Sequence, residues 1–324
     1  MALGRPLATL LGPAPTPPEP AAAGANVALW GPTREALTGT AEGEPVPGLE
    51  VALAHATRLY HDNEYEQLAR VLPRLIRDSH TAAPLLRSRV LQLAGSIPVQ
   101  TRQPDSAHLA LDRSLTDAES TGNVLTLCWL LIVERQFDQV RNLAIRWADR
   151  VEPRLSVATA REISTWGWLL LRGSAAAVRD NRPDEAEDMM RLAAAGAVAI
   201  RPERAPYHQY WTAFYPATVA MKRVVNAVIY DRPDLALRLA RDIPPDLRPT
   251  SDNRNRHLLD VATAQLELQR YDNAFEVLAK LSREARPWFV EQRSAGDILS
   301  RIITKRRTLT PEMRELADMI RLEY

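Results

Sequence analysis

The chain has 324 residues, and its 41 Lys and Arg against 40 Asp and Glu leave a formal charge of +1, a balance with no electrostatic footprint for nucleic acid or an anionic membrane. The longest apolar stretch, Val124 to Val133, is too short to span a bilayer, and Arg5 leads into a Pro-laden run rather than a signal-peptide core. A single cysteine, Cys128, excludes an internal disulfide, so a cytoplasmic protein is predicted.

Residues 1–48 hold nine of the 24 prolines and seven of the 13 glycines, which predicts a Pro/Gly-rich arm or linker. Within it, Val27 to Trp30 and Thr33 to Leu37 are expected to form a short helix docking on the first repeat, because Trp30 is costly to leave in water.

From Leu49 to the end, residues 49–324, apolar residues recur at helical spacing, with no Asn-Gly or Asp-Gly hairpin signal. Six polar turns punctuate the run, each followed by an aromatic residue or proline: Tyr65, Pro104, Phe137, Pro183, Pro233 and Tyr271. Three residues beyond each comes Leu68, Ala107, Val140, Ala186, Ala236 or Ala274; four further come Leu72, Leu111, Ala144, Met190, Ala240 and Leu278. This is the middle of a tetratricopeptide (TPR) helix pair, where the aromatic residue or Pro opens the second helix and a small residue lets the first approach.

The anchors are 39, 33, 46, 50 and 38 residues apart, so the array is degenerate against the usual repeat of about 34. The long intervals predict helices of more than twenty residues over Ser156 to Arg179 and Tyr207 to Tyr230. Pro73 and Pro216, inside apparent helices, are expected to kink or break them. Pro183 and Pro233, each followed by an acidic residue, suit a helix first turn. Thr310-Pro311-Glu312 opens a last, capping helix. The predicted fold is all-α: a TPR-like right-handed α-solenoid of about six helix pairs with a C-terminal cap.

Such a stack leaves a concave face free, which argues for a binding protein rather than a catalyst. No Gly-rich phosphate loop, His-Glu-x-x-His or Cys-x-x-Cys occurs, so no cofactor or metal is expected. Cys128, in an apolar helix, reads as packing. His55 and His61 do not share a helical face, and His257 reads as a surface residue.

Most tryptophans read as core, but counting back from Phe137 and Pro183 puts Trp129 and Trp168 on the concave face. The same count turns Thr57, Gln92, Lys222 and Arg256 inward, with Asn226 and Asp260 near that face. Tyr207, Tyr210 and Trp211 form an aromatic stripe that is either a buried helix or a groove lip. Trp, amide and cation together suit a peptide backbone and its carboxylate. Arg256, as an exposed groove residue, is expected to contribute to binding and little to stability.

The stretch Arg58-Leu59-Tyr60-His61-Asp62-Asn63-Glu64-Tyr65-Glu66-Gln67-Leu68-Ala69-Arg70-Val71-Leu72-Pro73 is similar to the first repeat of actinobacterial XRE-type regulators with TPR domains. So is His257 to Ala262, followed by Gln269 to Ala274 and Arg286-Pro287, and the resemblance covers about residues 25–322. It implies an effector-sensing, dimerising domain that holds a peptide or small molecule. DNA would be reached only through a helix-turn-helix domain not present in this chain. Leu3 to Gly12 resembles the closing helix of such a domain, so residues 1–12 are a candidate remnant. A homodimer is expected through the apolar C-terminal third, with Leu258, Leu259, Val277, Leu278, Leu281, Ile298, Leu299 and Ile302. The alternative is a TPR adaptor for a protein partner, with no role in transcription.

Overall fold

The computed structural model describes residues 22–39, 46–118, 120–200, 213–244, 251–307 and 309–323. Among them are sixteen helices and no strand. The first is α1 (Ala22–Thr38), and two helix pairs come after it, α2 (Leu49–His61) with α3 (Tyr65–Ser79) and α4 (Pro84–Gln100) with α5 (Pro104–Asp117). Next come α6 (Thr121–Val133) with α7 (Phe137–Arg150), and α8 (Ala160–Arg179) with α9 (Pro183–Ala199). The later pairs are α10 (Pro216–Ile229) with α11 (Pro233–Arg241) and α12 (Ser251–Glu267) with α13 (Tyr271–Glu284). The one-turn α14 (Arg286–Phe289), α15 (Arg293–Arg306) and α16 (Pro311–Met319) complete the chain.

One turn is used six times. The residue two places before each anchor adopts left-handed φ: Asn63, Arg102, Arg135, Asn181, Asp231 and Gln269, all between 55° and 64°. The next N–H donates back five residues, as from Glu64 to the Leu59 carbonyl at 2.9 Å and from Gln136 to that of Leu131 at 2.8 Å. The same bond joins Gln103 to Pro98, Arg182 to Ala177, Arg232 to Ala227 and Arg270 to Gln265. This 6→1 closure satisfies a carbonyl at the end of one helix and starts the next a residue later.

The positions three beyond each anchor, Leu68, Ala107, Val140, Ala186, Ala236 and Ala274, are all buried. Leu72, Leu111, Ala144, Met190 and Leu278 are buried one turn further, and Ala240 is half-buried. Truncating a leucine such as Leu68 at this seam costs about 2–5 kcal/mol. The first helices of successive pairs touch in order, α2, α4, α6, α8, α10, α12 and then α15. The row curls back on itself. Apolar residues from Trp30 to Ala110 and from Leu259 to Ala317 share one core cluster, and Arg256 on α12 donates to Gln100 Oε1 on α4.

Several expectations are corrected here. The helix near residue 160 starts at Ala160 rather than Ser156, where Thr159 accepts from the Glu162 N–H while the Glu162 carboxylate accepts from the Thr159 N–H. That reciprocal cap fixes the boundary. The helix expected over Tyr207 to Tyr230 starts at Pro216, which opens it at a first-turn position instead of kinking it. α3 runs through Pro73 without a break. α1 is a 17-residue helix that packs on α3 and also on α5, burying Trp30 against Tyr65. The closing helix over Thr310 to Glu312 forms, with the Thr310 hydroxyl accepting from the Met313 N–H at 3.2 Å.

Of the apolar residues expected at a dimer interface, Leu259, Leu278, Leu281, Ile298, Leu299 and Ile302 are buried within the chain's own core. Leu258 and Val277 pack against the same core. These side chains close the C-terminal pairs within the chain itself. Residues 1–12, and with them the remnant expected there, lie outside the described residues. No helix among the described residues is long and apolar enough to cross a membrane.

Candidate functional site

The curl of first helices encloses a cavity of about 310 Å³ lined from α2, α6, α8, α10, α12 and α15 and, at Arg102, from the turn after α4. Each helix supplies side chains at one-turn spacing. Trp168 and Arg172 lie four residues apart on α8, and Asp252, Arg256 and Asp260 form one stripe on α12. Five cationic side chains reach the lining, Arg102, Arg172, Arg179, Lys222 and Arg256, against the two carboxylates Asp252 and Asp260. The cavity is therefore electropositive in a nearly neutral protein.

Its floor is an alternation of cations and indoles. The Arg256 guanidinium lies over the Trp129 ring at 5.3 Å, and Arg172 lies 5.6 Å from the Trp129 centroid and 5.5 Å from that of Trp168. Lys222 Nζ lies over Trp168 at 5.6 Å. Indole faces attract cations through the ring quadrupole, and more strongly where water is excluded. The two rings thus hold three positive charges whose mutual repulsion they partly offset.

The carboxylates divide unequally. Asp252 sits 3.2 Å from the Arg256 guanidinium and accepts from Trp288 Nε1 at 2.7 Å. Burial opposes its charge, yet Arg256, Trp288 and Lys222 hold its carboxyl below the usual range. Arg256 is lifted above its ordinary value by Asp252 and Tyr60 in spite of burial. Asp260 has no such partner, and burial pushes it up to about 6 against the pull of Lys222 and Arg179. Burial and the nearby Arg172 bring Lys222 down to about 8, and burial brings Arg172 itself down to about 10. Among the described residues, neither Arg172 nor Lys222 has a carboxylate within ion-pair distance, and Arg172 Nε has no hydrogen-bond partner. Positive charge therefore exceeds negative charge around the cavity, and Arg172 and Lys222 carry no direct ion pair.

Five of the residues singled out from sequence meet here: Trp129, Trp168, Lys222, Arg256 and Asp260. Trp168 is only 2% exposed, with Nε1 donating to the Ala213 carbonyl at 3.1 Å, so it supports cations rather than offering an open stacking face. Thr57 and Gln92 are not in this cavity. They line a wider cleft of about 1,040 Å³, with Thr57 Oγ1 donating to the Leu53 carbonyl at 2.8 Å and Gln92 Nε2 to Thr126 Oγ1 at 3.3 Å. Asn226 is buried between helices, donating to Ser174 Oγ at 3.0 Å, and serves packing. Tyr207, Tyr210 and Trp211 lie outside the described residues.

Arg256 departs from its expected role. It pairs with Asp252, bonds to Gln100 across the curl and keeps only 32% of its side chain exposed, so it ties α12 to α4 as well as lining the cavity. His257 is buried rather than superficial, and burial, Lys222 and Arg254 depress its imidazole to about 4. Cys128 is fully buried and its thiol is pushed up to about 12, as packing requires.

Sequence reasoning missed Arg172, Arg179, Asp252, Tyr60 and Arg102. For two of these the signal was in hand: Arg172 is four residues after Trp168, and Asp252 four before Arg256, on faces already assigned. Among the described residues no group of His, Cys, Asp and Glu is placed to hold a metal ion. No known protein-family model matches the chain, and no curated protein matches it either.

Proposed function

We propose that this chain is an effector-sensing domain of a transcriptional regulator, a TPR-like right-handed solenoid that holds a small ligand at its centre. The observation that carries the binding role is the cavity of about 310 Å³ in which five cationic side chains, Arg172 and Lys222 central among them, face two carboxylates. Its volume is at the lower end of ligand pockets, about 300–1,000 Å³, and of the two expected ligands it favours a small molecule over an extended peptide. The regular helix pairs support the solenoid reading, and the resemblance to XRE-type regulators supports the regulatory one. Because Arg256 lines the cavity and also bonds to Gln100 on α4, a ligand that engages Arg256 bears on both ends of the row at once. Closure around a bound ligand would then be the signal passed to a DNA-binding partner domain.

Native mass spectrometry of the purified full chain, with and without mild denaturation, tests this reading. A small-molecule mass released on unfolding is the expected result. An empty wild-type protein that also shows no thermal stabilisation by any metabolite of a broad panel would remove the sensing role. Unchanged transcript profiles on deletion of the gene, together with capture of one stable protein partner, would replace it with the adaptor reading.

A further inference from the structure

We infer that the cavity is built for a compact organic dianion, a small molecule with two negative charges on a short apolar body, held between Arg172 and Lys222. This rests on the ligand-binding reading above and names the ligand's chemistry. Of the five lining cations, Arg256 is balanced by Asp252, which is itself fully engaged by Arg256 and Trp288. Arg179 donates to the Ala175 carbonyl at 2.6 Å, and Arg102 lies on an exposed turn. Even with Asp252 and Asp260 both ionised, the lining cations outnumber the carboxylates, and Arg172 and Lys222 lie together over the face of Trp168.

Five lining cations against two carboxylates leave an excess of three positive charges, most of which a monoanion would leave unanswered. A dianion answers Arg172 and Lys222 together. Arg172 presents a planar fork suited to two oxygens of a carboxylate or phosphate, and Lys222 a point charge suited to a third. Leu125, Ile132, Leu171, Val225 and Leu259 give part of the lining an apolar character, which favours an organic body over a fully hydrated inorganic ion. Phosphate monoesters and dicarboxylates share this chemistry.

A pH dependence arises from the groups that face Lys222. Arg172 on α8 and Arg256 on α12 disfavour its proton, whereas Asp260 and Asp252 on α12 favour it, and with burial the net result is a value of about 8 in the empty protein. A bound dianion stabilises the ammonium form, so binding takes up a proton around pH 8 and weakens as pH rises beyond it. Asp260, at about 6, is already ionised there and does not reverse the trend.

Thermal denaturation of the full chain with glycerol phosphate, succinate and acetate, each against sodium chloride of equal ionic strength, tests the inference. Glycerol phosphate or succinate at millimolar concentration is expected to raise Tm by about 2 °C or more over chloride, with acetate having no effect. The arm that responds tells phosphate from carboxylate. Lys222→Met is expected to abolish the shift, whereas Arg70→Met, on the far surface, is expected to keep it. Should Lys222→Met prove unstable, the wild-type shift measured from pH 7 to 9 replaces it, with a decline above pH 8 expected. No shift with either dianion, a shift retained in Lys222→Met, or a flat pH profile would each overturn the inference. A neutral molecule found by native mass spectrometry alongside no dianion effect would overturn this inference and leave the sensing reading standing.

Discussion

The Arg172 guanidinium lies 5.5 Å from the centre of the Trp168 indole, one turn earlier on the same helix, and Lys222 lies 5.6 Å from the same ring. One buried aromatic ring thus holds two cations from two helices. Its Nε1 meanwhile ties down the Ala213 carbonyl just before α10 begins. Trp168→Leu removes both functions and is expected to destabilise the fold by about 2–4 kcal/mol. Trp168→Phe keeps a ring face and loses the N–H, so a smaller loss of about 1–2 kcal/mol is expected. Urea unfolding of the two variants checks the order; equal losses would remove the ring face from the account.

Arg256 is where binding and stability meet. Arg256→Ala leaves Asp252 without its main counter-charge and cuts the bond to Gln100, across 156 positions of sequence. The pair is partly open to the cavity, so the loss is set at about 1–3 kcal/mol, below that of a fully buried pair. Arg70, whose contact with Glu66 at 3.9 Å is between side chains 76% and 81% exposed, is the control, and Arg70→Ala is expected to cost less than about 0.5 kcal/mol. Comparable denaturation midpoints for the two variants would deny Arg256 its role in joining the ends.

The turns and seams were legible in the sequence because they are local. An αL residue, an aromatic or Pro two places on and a small residue three beyond that are fixed by the geometry of one turn, and all six turns lie where the sequence puts them. Helix phase on α6, α8, α10 and α12 was legible by counting from an anchor, which is why Trp129, Trp168, Lys222, Arg256 and Asp260 converge. The count failed at Thr57 and Gln92 because the row curls, so α4 faces the wider cleft and α2 is divided between the two. Curvature depends on small rotations summed over every pair, and no local signal carries it. The closure of Arg256 onto Gln100 was hidden for the same reason.

The repeated turn gives its own prediction. Asn181 holds φ of 55°, where a β-branched side chain collides with its own backbone. Asn181→Val is expected to cost about 1–2 kcal/mol, whereas Asn181→Gly is expected to be within about 0.5 kcal/mol of wild type, since relief of strain offsets added freedom of the unfolded chain. Thermal unfolding of both variants separates them. A Val variant as stable as the Gly variant would mean the turn relaxes out of the left-handed region.

Gly167, beside Trp168, is a matter of space. A Cβ there would lie 2.0 Å from Cζ of Phe214, whose ring is fully buried. At Gly173 the nearest atom is Met189 Sδ at 2.5 Å, on a flexible chain that can move aside. Gly167→Ala is therefore expected to destabilise by about 2–3 kcal/mol and Gly173→Ala by about 1 kcal/mol or less. Chemical denaturation checks the ranking, and a neutral Gly167→Ala would show that Phe214 has room to retreat.

His257 sets an acid limit. Burial first, then Lys222 and Arg254, hold its imidazole at about 4 in the fold, against about 6.5 in the unfolded chain. Between those values the unfolded chain takes a proton that the folded chain refuses, so this contribution to stability is complete above about pH 6.5 and is lost as pH falls toward 4. Asp260 works in the opposite sense. Its pKa is raised to about 6, so it adds stability as pH falls from 6, and the two partly cancel in the wild-type profile. The difference between wild type and His257→Gln isolates the imidazole. From pH 7 to about pH 4.5, wild type is expected to lose about 2 kcal/mol more than the variant. Guanidinium unfolding at the two pH values measures it, and parallel losses would mean that His257 takes its proton as readily in the fold as out of it.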